Sequence, residues 1–211
     1  MTVTVVIPVK PFALAKTRLA PALDARARAA LARACFGQVL AAARAATTAD
    51  RIEVHSSCPQ VLAMAGGAAV AESGCGLNAV LAAARSASEA RGDRAMIALF
   101  ADLPLLQPAE IDALIAATLR DGLALAPDRA GLGTNALGLR RGVPLPFRFG
   151  PGSLAAFMAE ARSTGRTAAL IDRAGLASDV DVPADLALIP AELRWDREPQ
   201  SELAREASHA P

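Results

Sequence analysis

Short apolar runs alternate along the chain with stretches in which apolar residues recur at helical spacing. The first run, VTVVIPV, is continuous and rich in β-branched residues, which is typical of a strand buried on both faces of a parallel sheet. The runs that predict strands cover residues 3–9, 51–57, 68–73 and 95–102. The stretches that predict helices cover residues 24–46, 61–67, 76–92 and 107–122.

Residues at the predicted helix ends support these boundaries. Asp24 is a favourable N-cap, and Pro108 stands in a first helical turn, where its missing N–H costs nothing. Gly92 and Gly122 follow the last apolar positions of two helices, where glycine commonly ends a helix. The alternation of strands and helices predicts an α/β fold with a mostly parallel sheet covered on both faces.

The pattern changes after residue 122. Two apolar segments, 123–128 and 134–140, flank a glycine-containing loop instead of a helix, which indicates a small antiparallel excursion in the sheet. The remaining predicted elements are a helix from Ser153 to about Thr164, a strand near residues 167–172 and a short helix near 183–189.

Composition narrows the class of protein. The 211 residues are 53% hydrophobic, largely through alanine, and the formal net charge is +1. No apolar run approaches the roughly 20 residues of a membrane span, and no basic segment precedes the first run as in a signal peptide, so we expect a cytoplasmic protein. The balanced charge argues against nucleic acid as the main partner. We predict one domain over residues 1–190 and a polar, mobile tail over residues 191–211.

Three cations follow the first predicted strand. Lys10, Lys16 and Arg18 cluster in PVKPFALAKTR, at the carboxyl end of the strand, where ligands bind in open α/β sheets. Such a group could neutralise a triphosphate, and the competing interpretation is a solvated basic loop. The glycines of a Walker phosphate-binding loop are absent.

Acidic residues stand at two further points. Asp102 closes a strand that is otherwise free of charge, and a carboxylate there is costly unless it meets a cation or hydrogen-bond donors. Asp179 and Asp181 have the spacing that directs both side chains to one side of an extended segment. Magnesium with nucleotide phosphates suits these oxygen ligands. Helix capping is the competing interpretation, especially for Asp181 ahead of Pro183.

Two glycine loops precede candidate anion contacts. GLGTN supplies Gly131 and Gly133, and FGPGS supplies glycines ahead of Ser153, the first residue of a predicted helix. Glycine lets backbone N–H groups approach an anion, and a helix N-terminus adds partial positive charge. Each loop alone is more often a simple turn. Together they indicate a binding site for a second, phosphate-bearing substrate.

These motifs in this order resemble the 2-phospho-L-lactate guanylyltransferase family. The matching segments are IPVKPFALAKTRLAP, GCGLNAVL, ADLPLL, APDRAGLGTNAL, FGPGS and DVDVPADL, within residues 3–188. The resemblance implies a single-domain, three-layer nucleotidyltransferase fold, Rossmann-like and GT-A-like. It also implies a reaction of coenzyme F-420 biosynthesis, in which GTP and a small phosphorylated carboxylic acid give a guanylylated acid and pyrophosphate. A homodimer is a further implication.

The resemblance also assigns roles to residues. The nucleotide would be held by Pro8, Lys10, Lys16, Arg18, Gly76, Leu77 and Asn78, with Asn78 facing the guanine. Magnesium would be held by Asp102, Asp179 and Asp181, and Lys16 and Asp102 would be catalytic. The acceptor's phosphate would be held by Thr134, Gly150 and Ser153.

One departure from the family and several competing hypotheses bear on this interpretation. Family members often have a histidine one helical turn after the FGPGS serine, where this chain has Phe157.

The sequence does not decide whether the acceptor is phosphoenolpyruvate, 3-phosphoglycerate or 2-phospholactate. The competing hypotheses are a molybdenum-cofactor or sugar-phosphate nucleotidyltransferase of the same fold, and a non-catalytic nucleotide-binding regulator. The chain has only His55 and His209, from which a hydrolase with a histidine-activated nucleophile is hard to build.

Overall fold

One seven-stranded sheet forms the centre of the computed structural model, which describes residues 2–193. The strands are Val3–Pro8 (β1), Arg51–Ser56 (β2), Ala69–Ala71 (β3), Ala95–Leu99 (β4), Leu123–Pro127 (β5), Thr134–Arg140 (β6) and Ala169–Leu170 (β7). The α-helices in these residues are Ala25–Ala45 (α1), Pro59–Ala65 (α2), Leu77–Arg91 (α3), Pro108–Asp121 (α4), Ser153–Ser163 (α5) and Ala174–Ala177 (α6). Short 3-10 turns cover Phe12–Leu14, Thr17–Leu19, Gly66–Ala68, Pro183–Leu188 and Ala191–Leu193.

The strand order is β3-β2-β1-β4-β6-β5-β7. Strand β6 runs antiparallel to both of its neighbours, β4 and β5, and the remaining pairings are parallel. The predicted mostly parallel sheet with a small antiparallel excursion is therefore confirmed. The excursion lies inside the sheet, between β4 and β5, and not at its edge.

Strand β4 shows why the central strands are apolar without interruption. Ile97 and Leu99 point into one apolar core with residues of α1 and α4, whereas Met96 and Ala98 point into a second core with residues of α3 and α5. Both faces of the strand are thus buried, so every position is apolar. The result is three layers, with helices on both sides of the sheet.

Local sequence signals set most helix ends. The Asp24 side chain accepts a hydrogen bond from the Ala27 N–H, as an N-cap does. Glu110, in the first turn of α4, accepts from the Gln107 N–H. Gly92 and Gly122 end α3 and α4 in the left-handed conformation that glycine adopts without strain. The predicted boundaries at these positions are confirmed.

The structure differs from the expectations after residue 165. The predicted strand near 167–172 is only the two-residue β7, and the predicted helix near 183–189 is a 3-10 turn. Helix α6 has no counterpart in the predictions, because its four residues include Gly175. That glycine is required by packing: a Cβ added there would lie 2.6 Å from the Leu105 carbonyl oxygen.

The predicted tail, residues 191–211, lies outside the described residues except for the turn Ala191–Leu193, and so does His209. Among the helices that the structure describes, none combines the length and the apolar character needed to cross a membrane.

Candidate active site

The predicted site residues collect at the edge of the sheet where the parallel strands end. Strand β1 ends there at Pro8 and β4 at Leu99. Strand β6 runs the opposite way, so its first residue, Thr134, pairs with Pro127 at the end of β5 and reaches the same edge. Loops after β1, β4 and β5 therefore meet the start of β6 and the 179–182 segment. This edge is where open α/β sheets bind ligands.

Lys16 lies at the centre of the charged part of this edge. Its Nζ is 2.7 Å from Asp102 Oδ2 and 3.4 Å from Asp181 Oδ1, and its side chain is 5% exposed. Lys16 has a φ of 56°, and it is the one residue other than glycine with positive φ in the described chain. A left-handed conformation costs an L-residue roughly 1–2 kcal/mol. The fold thus holds a strained backbone that delivers the ammonium group to two carboxylates.

The Lys16 ammonium keeps its charge although it is buried. Burial by itself would lower the pKa of Lys16, but the charge and hydrogen bond of Asp102, followed by the charge of Asp181, outweigh burial and raise it. The nearby Cys35 stays a neutral thiol, because burial raises its pKa to about 12. Lys16 is therefore a permanent positive charge at neutral pH.

Asp102 and Asp179 are incompletely neutralised. Asp102 uses Oδ2 for Lys16, and its Oδ1 is buried without a hydrogen-bond partner. Asp179 Oδ1 accepts a hydrogen bond from Asn135 Nδ2 at 3.0 Å. Burial raises the pKa of Asp179, and the negative charges of Asp102 and Asp181 raise it further against the effect of the Asn135 hydrogen bond. The negative charge of these two carboxylates is therefore only partly balanced by the side chains around them.

The residues present fit a magnesium ion that takes part of its coordination from a substrate. Mg²⁺ is commonly bound by one or two carboxylates together with phosphate oxygens and water. The free Oδ1 of Asp102 and the Asp179 carboxylate suit that arrangement. Within residues 2–193, no cluster of three or more histidine, cysteine or acidic side chains is arranged to hold an ion. Asp181 faces Lys16 and Arg18 instead, the latter at 3.5 Å.

Thr134 and Ser153 form a second, uncharged part of the site. Ser153 Oγ donates a hydrogen bond to Thr134 Oγ1 at 3.2 Å, and both residues are buried. The Ser153 and Leu154 N–H groups donate to the Gly150 and Leu132 carbonyls, respectively. The two glycine loops are therefore joined directly. Because these two N–H groups are occupied, the hydroxyl groups and the N-terminus of α5 are what this part offers an anion.

The residues predicted to contact the nucleotide differ in their exposure and in the hydrogen bonds that they form. Lys10 is exposed, and the Arg18 side chain is 71% exposed. Gly76 has a φ of 93° and precedes Leu77, the first residue of α3. The side chain of Asn78 pairs with the backbone of Phe149, donating to its carbonyl at 3.1 Å and accepting from its N–H at 2.9 Å. Contact of these residues with a nucleotide stays a prediction.

Phe157, where the resemblance implies a histidine, belongs to the core. Its side chain is fully buried and meets the Phe149 ring edge-on, with 4.9 Å between ring centroids. Phe157 therefore packs against the loop that contains Phe149 and offers no polar group to a ligand.

Two residues that support the acids were missed by reasoning from sequence. Asn135 donates a hydrogen bond to Asp179, whereas the motif GTN was interpreted only through its glycine and Thr134. Asp185 accepts hydrogen bonds from the N–H groups of Asp181 and Val182, both at 2.8 Å, and forms an ion pair with Arg129. A signal for Asp185 was available, since an aspartate three residues after Val182 is placed to cap a helical turn. Asp181 itself does not cap that turn.

In sequence, the chain matches one protein family over nearly all of its described residues. The family model described as guanylyl transferase, CofC-like, matches residues 3–191. A phosphoenolpyruvate guanylyltransferase of Sphaerobacter thermophilus is 41% identical over 189 residues, which cover 88% of this chain and 91% of that protein. A phosphoenolpyruvate guanylyltransferase of Rubrobacter xylanophilus is 40% identical over 195 residues, covering 90% of this chain and 95% of that protein.

A solved structure from Desulfovibrio desulfuricans, described as a nucleotide-diphospho-sugar transferase, superposes with a TM-score of 0.76. The superposition covers 99% of this chain and 96% of the solved chain at 17% sequence identity. At that identity the likeness concerns the fold, which is the three-layer nucleotidyltransferase fold expected from the sequence motifs.

Proposed function

Because the chain belongs to the CofC-like guanylyl transferase family, and is therefore a nucleotidyltransferase, we propose that it transfers GMP from GTP to the phosphate of a small phosphorylated carboxylic acid. Pyrophosphate is the second product. The observation that carries the proposal is the charged centre in which Lys16 lies between Asp102 and Asp181, beside an Asp102 oxygen that has no partner. A site of that charge suits a nucleotide triphosphate with magnesium.

Phosphoenolpyruvate is the acceptor we favour among the three candidates, since relatives about 40% identical over most of the chain carry that name. The two remaining candidates are 3-phosphoglycerate and 2-phospholactate. Each combines a phosphate with a carboxylate, and the product of each would serve coenzyme F-420 biosynthesis. The molybdenum-cofactor, sugar-phosphate and non-catalytic hypotheses lose support because the family match extends over nearly the whole described chain.

The proposed reaction is a displacement at the α-phosphorus of GTP. An oxygen of the acceptor phosphate forms a bond to that phosphorus, the bond to the bridging oxygen of the β-phosphate breaks, and pyrophosphate leaves. The second ionisation of a phosphate monoester lies near pH 6, so the nucleophile is already deprotonated at neutral pH and requires no base. The enzyme's contribution is then positioning and neutralisation of charge.

The chain's own residues divide this work. Lys16 would place a fixed positive charge beside the α-phosphate, while the more exposed Lys10 and Arg18 would neutralise the outer phosphates. Asp102 and Asp179 would hold Mg²⁺, which would lower the repulsion between the anionic substrates and stabilise the leaving pyrophosphate. Asp181 is proposed as a third ligand that must first exchange its contacts with Lys16 and Arg18. Thr134 and Ser153 would hold the acceptor phosphate, with Gly150 shaping the loop.

Pyrophosphate release from GTP tests the proposal. The purified protein is incubated with GTP and magnesium, separately with phosphoenolpyruvate, 3-phosphoglycerate and 2-phospholactate, and product masses are determined. We expect a guanylylated acid and equimolar pyrophosphate with one acceptor, and none when magnesium is chelated or the acceptor is omitted. Folded protein that binds GTP but turns over none of the three acids would contradict the proposed acceptor class.

A further inference from the structure

The Asn78 side chain forms two hydrogen bonds with one residue far away in the chain. Its amide N–H donates to the Phe149 carbonyl at 3.1 Å, and its Oδ1 accepts from the Phe149 N–H at 2.9 Å. Phe149 lies in no helix or strand, so its peptide groups lack a regular backbone partner. Asn78 supplies that partner, in the same way as a neighbouring strand would.

Phe149 is also fixed through its ring. The ring centroid lies 4.9 Å from that of Phe100 and 4.9 Å from that of Phe157. Phe100 directly follows β4 and stands two residues before Asp102, whereas Phe157 belongs to α5. The residue is therefore held by apolar packing on its side chain and by Asn78 on its backbone.

Gly150, the next residue, connects Phe149 to the part of the site proposed to bind the acceptor. Gly150 has a φ of 152°, and its carbonyl accepts a hydrogen bond from the Ser153 N–H at 3.1 Å. Ser153 in turn contacts Thr134 through their hydroxyl groups. Consecutive hydrogen bonds and one peptide bond thus connect Asn78 with both proposed acceptor hydroxyls.

We propose that Asn78 is a positioning residue for the acceptor loop, and that its principal effect on the reaction falls on the acceptor and not on the guanine. The inference rests on the proposed function, because it takes Gly150, Ser153 and Thr134 as the seat of the acceptor phosphate. It gives the motif GLN a role that differs from the guanine contact implied by family resemblance. A base contact that turned the Asn78 amide away would leave both peptide groups of Phe149 unpaired.

Steady-state kinetics of Asn78→Ala and Asn78→Asp separates the two roles. The Ala variant loses both hydrogen bonds; Asp retains an acceptor for the Phe149 N–H but cannot donate. In Asn78→Ala we expect the KM for the acceptor to rise on the order of tenfold, equivalent to about 1.4 kcal/mol. The KM for GTP should change by less than about twofold, which corresponds to less than about 0.5 kcal/mol. Asn78→Asp should raise the KM for the acceptor at least as much as Ala, because a carboxylate oxygen would then face the Phe149 carbonyl oxygen.

Ser86→Ala is the matched control, because Ser86 is an exposed residue of the same helix whose hydroxyl donates to the Ala82 carbonyl one turn earlier. It should leave both KM values unchanged. A rise in the KM for GTP that equals or exceeds the rise for the acceptor would overturn the inference and assign Asn78 to the guanine.

Hydrogen exchange distinguishes failure of this inference from failure of the proposed function. Without any substrate, the backbone N–H of Phe149 should exchange faster in Asn78→Ala than in wild type. The other backbone N–H groups within residues 146–153 should also exchange faster. If wild type turns over none of the acids, the proposed function fails while faster exchange still supports the positioning link. Unchanged exchange at Phe149 would overturn the link whatever the activity.

Discussion

Strand β4 has an aspartate shortly before its first residue and another shortly after its last, and the fold surrounds them differently. Asp93 is 4% exposed, and its Oδ2 accepts hydrogen bonds from Thr4, Ser88 and Arg91. Asp102, at the opposite end, pairs one oxygen with Lys16 and buries the second without a partner. The two aspartates that flank β4 thus differ: one has three donors on a single oxygen, and the other has a buried oxygen with no hydrogen-bond partner.

The difference separates a stabilising carboxylate from one available to a ligand. At Asp93, burial alone would raise the pKa, but the hydrogen bonds from Thr4, Ser88 and Arg91 outweigh it and lower the pKa. Three donors already converge on Asp93 Oδ2. At Asp102 a buried oxygen lacks a donor or cation, a cost that a folded protein retains where a ligand supplies the missing partner. The aspartate before the strand therefore stabilises the fold, whereas the one after it has an oxygen available to the proposed ligand.

The largest effect is expected at Asp102. Asp102→Asn keeps the shape of the side chain but removes the charge, so turnover should fall by about a thousandfold or more, as for loss of a key electrostatic group. The melting temperature should change by no more than about 2–4 °C, the shift that 1 kcal/mol produces in a domain of this size. Pyrophosphate release and thermal unfolding measure the two. Asp172→Asn, at an exposed aspartate, is the control; an active Asp102→Asn enzyme would refute the metal role.

Replacing Asp93 should give the opposite result. Asp93→Ala leaves Thr4, Ser88 and Arg91 without a shared acceptor, so we expect the free energy of unfolding to fall by roughly 2–4 kcal/mol. Activity per folded molecule should remain that of wild type. Urea unfolding at pH 7, combined with active-site titration, measures both quantities. A loss of specific activity comparable with that of Asp102→Asn would break the comparison.

Ser153 combines features of the two aspartates. Like Asp93 it already has a hydrogen-bond partner, Thr134, and like Asp102 it lies at the edge of the sheet proposed to bind substrates. Ser153→Ala should raise the KM for the acceptor by about tenfold, the effect of losing one hydrogen bond to a charged ligand, and affect GTP less. Ser163→Ala, at the far end of α5, is the control. Equal changes for both substrates would remove Ser153 from the acceptor site, and would show that a satisfied group at this edge is structural.

The smallest effect is the pH dependence that Asp93 contributes. Its pKa is lower in the folded than in the unfolded chain, so its stabilisation is complete above the unfolded value of about 3.9 and is lost as pH falls through the folded pKa. The difference in unfolding free energy between wild type and Asp93→Asn should therefore be constant from pH 7 to about pH 5 and shrink below about pH 4. A difference that persists undiminished to pH 3 would contradict this assignment.

Local signals made most of the fold predictable. Asp24, Gly92 and Gly122 act within their own turns, so their effects can be read from adjacent residues. Apolar strands and their helices also fix the edge at which loops meet. That is why Lys16 and Asp102, separated by 86 positions, could both be assigned to one site and do form an ion pair.

The support of the site was not predictable, because it depends on single pairings between distant segments. Asn135 and Asp179 are 44 positions apart, and Asn78 and Phe149 are 71 apart. Periodicity predicts which face of an element is buried, but not which carboxamide meets which backbone group. The left-handed backbone of Lys16 also had no local signal, since lysine does not favour that conformation.

The position of β6 has a consequence for how the protein folds. Strands β4 and β5 are consecutive in the chain, yet β6 separates them in the sheet. Pairing β5 with β6 closes only the short turn at 128–133, whereas pairing β4 with β6 encloses the whole of α4 and β5, so we expect the first pairing to precede the second. Gly131, with a φ of 68°, belongs to that turn, and slower refolding of Gly131→Val would reveal its part. We therefore expect the turn before Thr134, a proposed acceptor contact, to take part in an early step of sheet assembly as well.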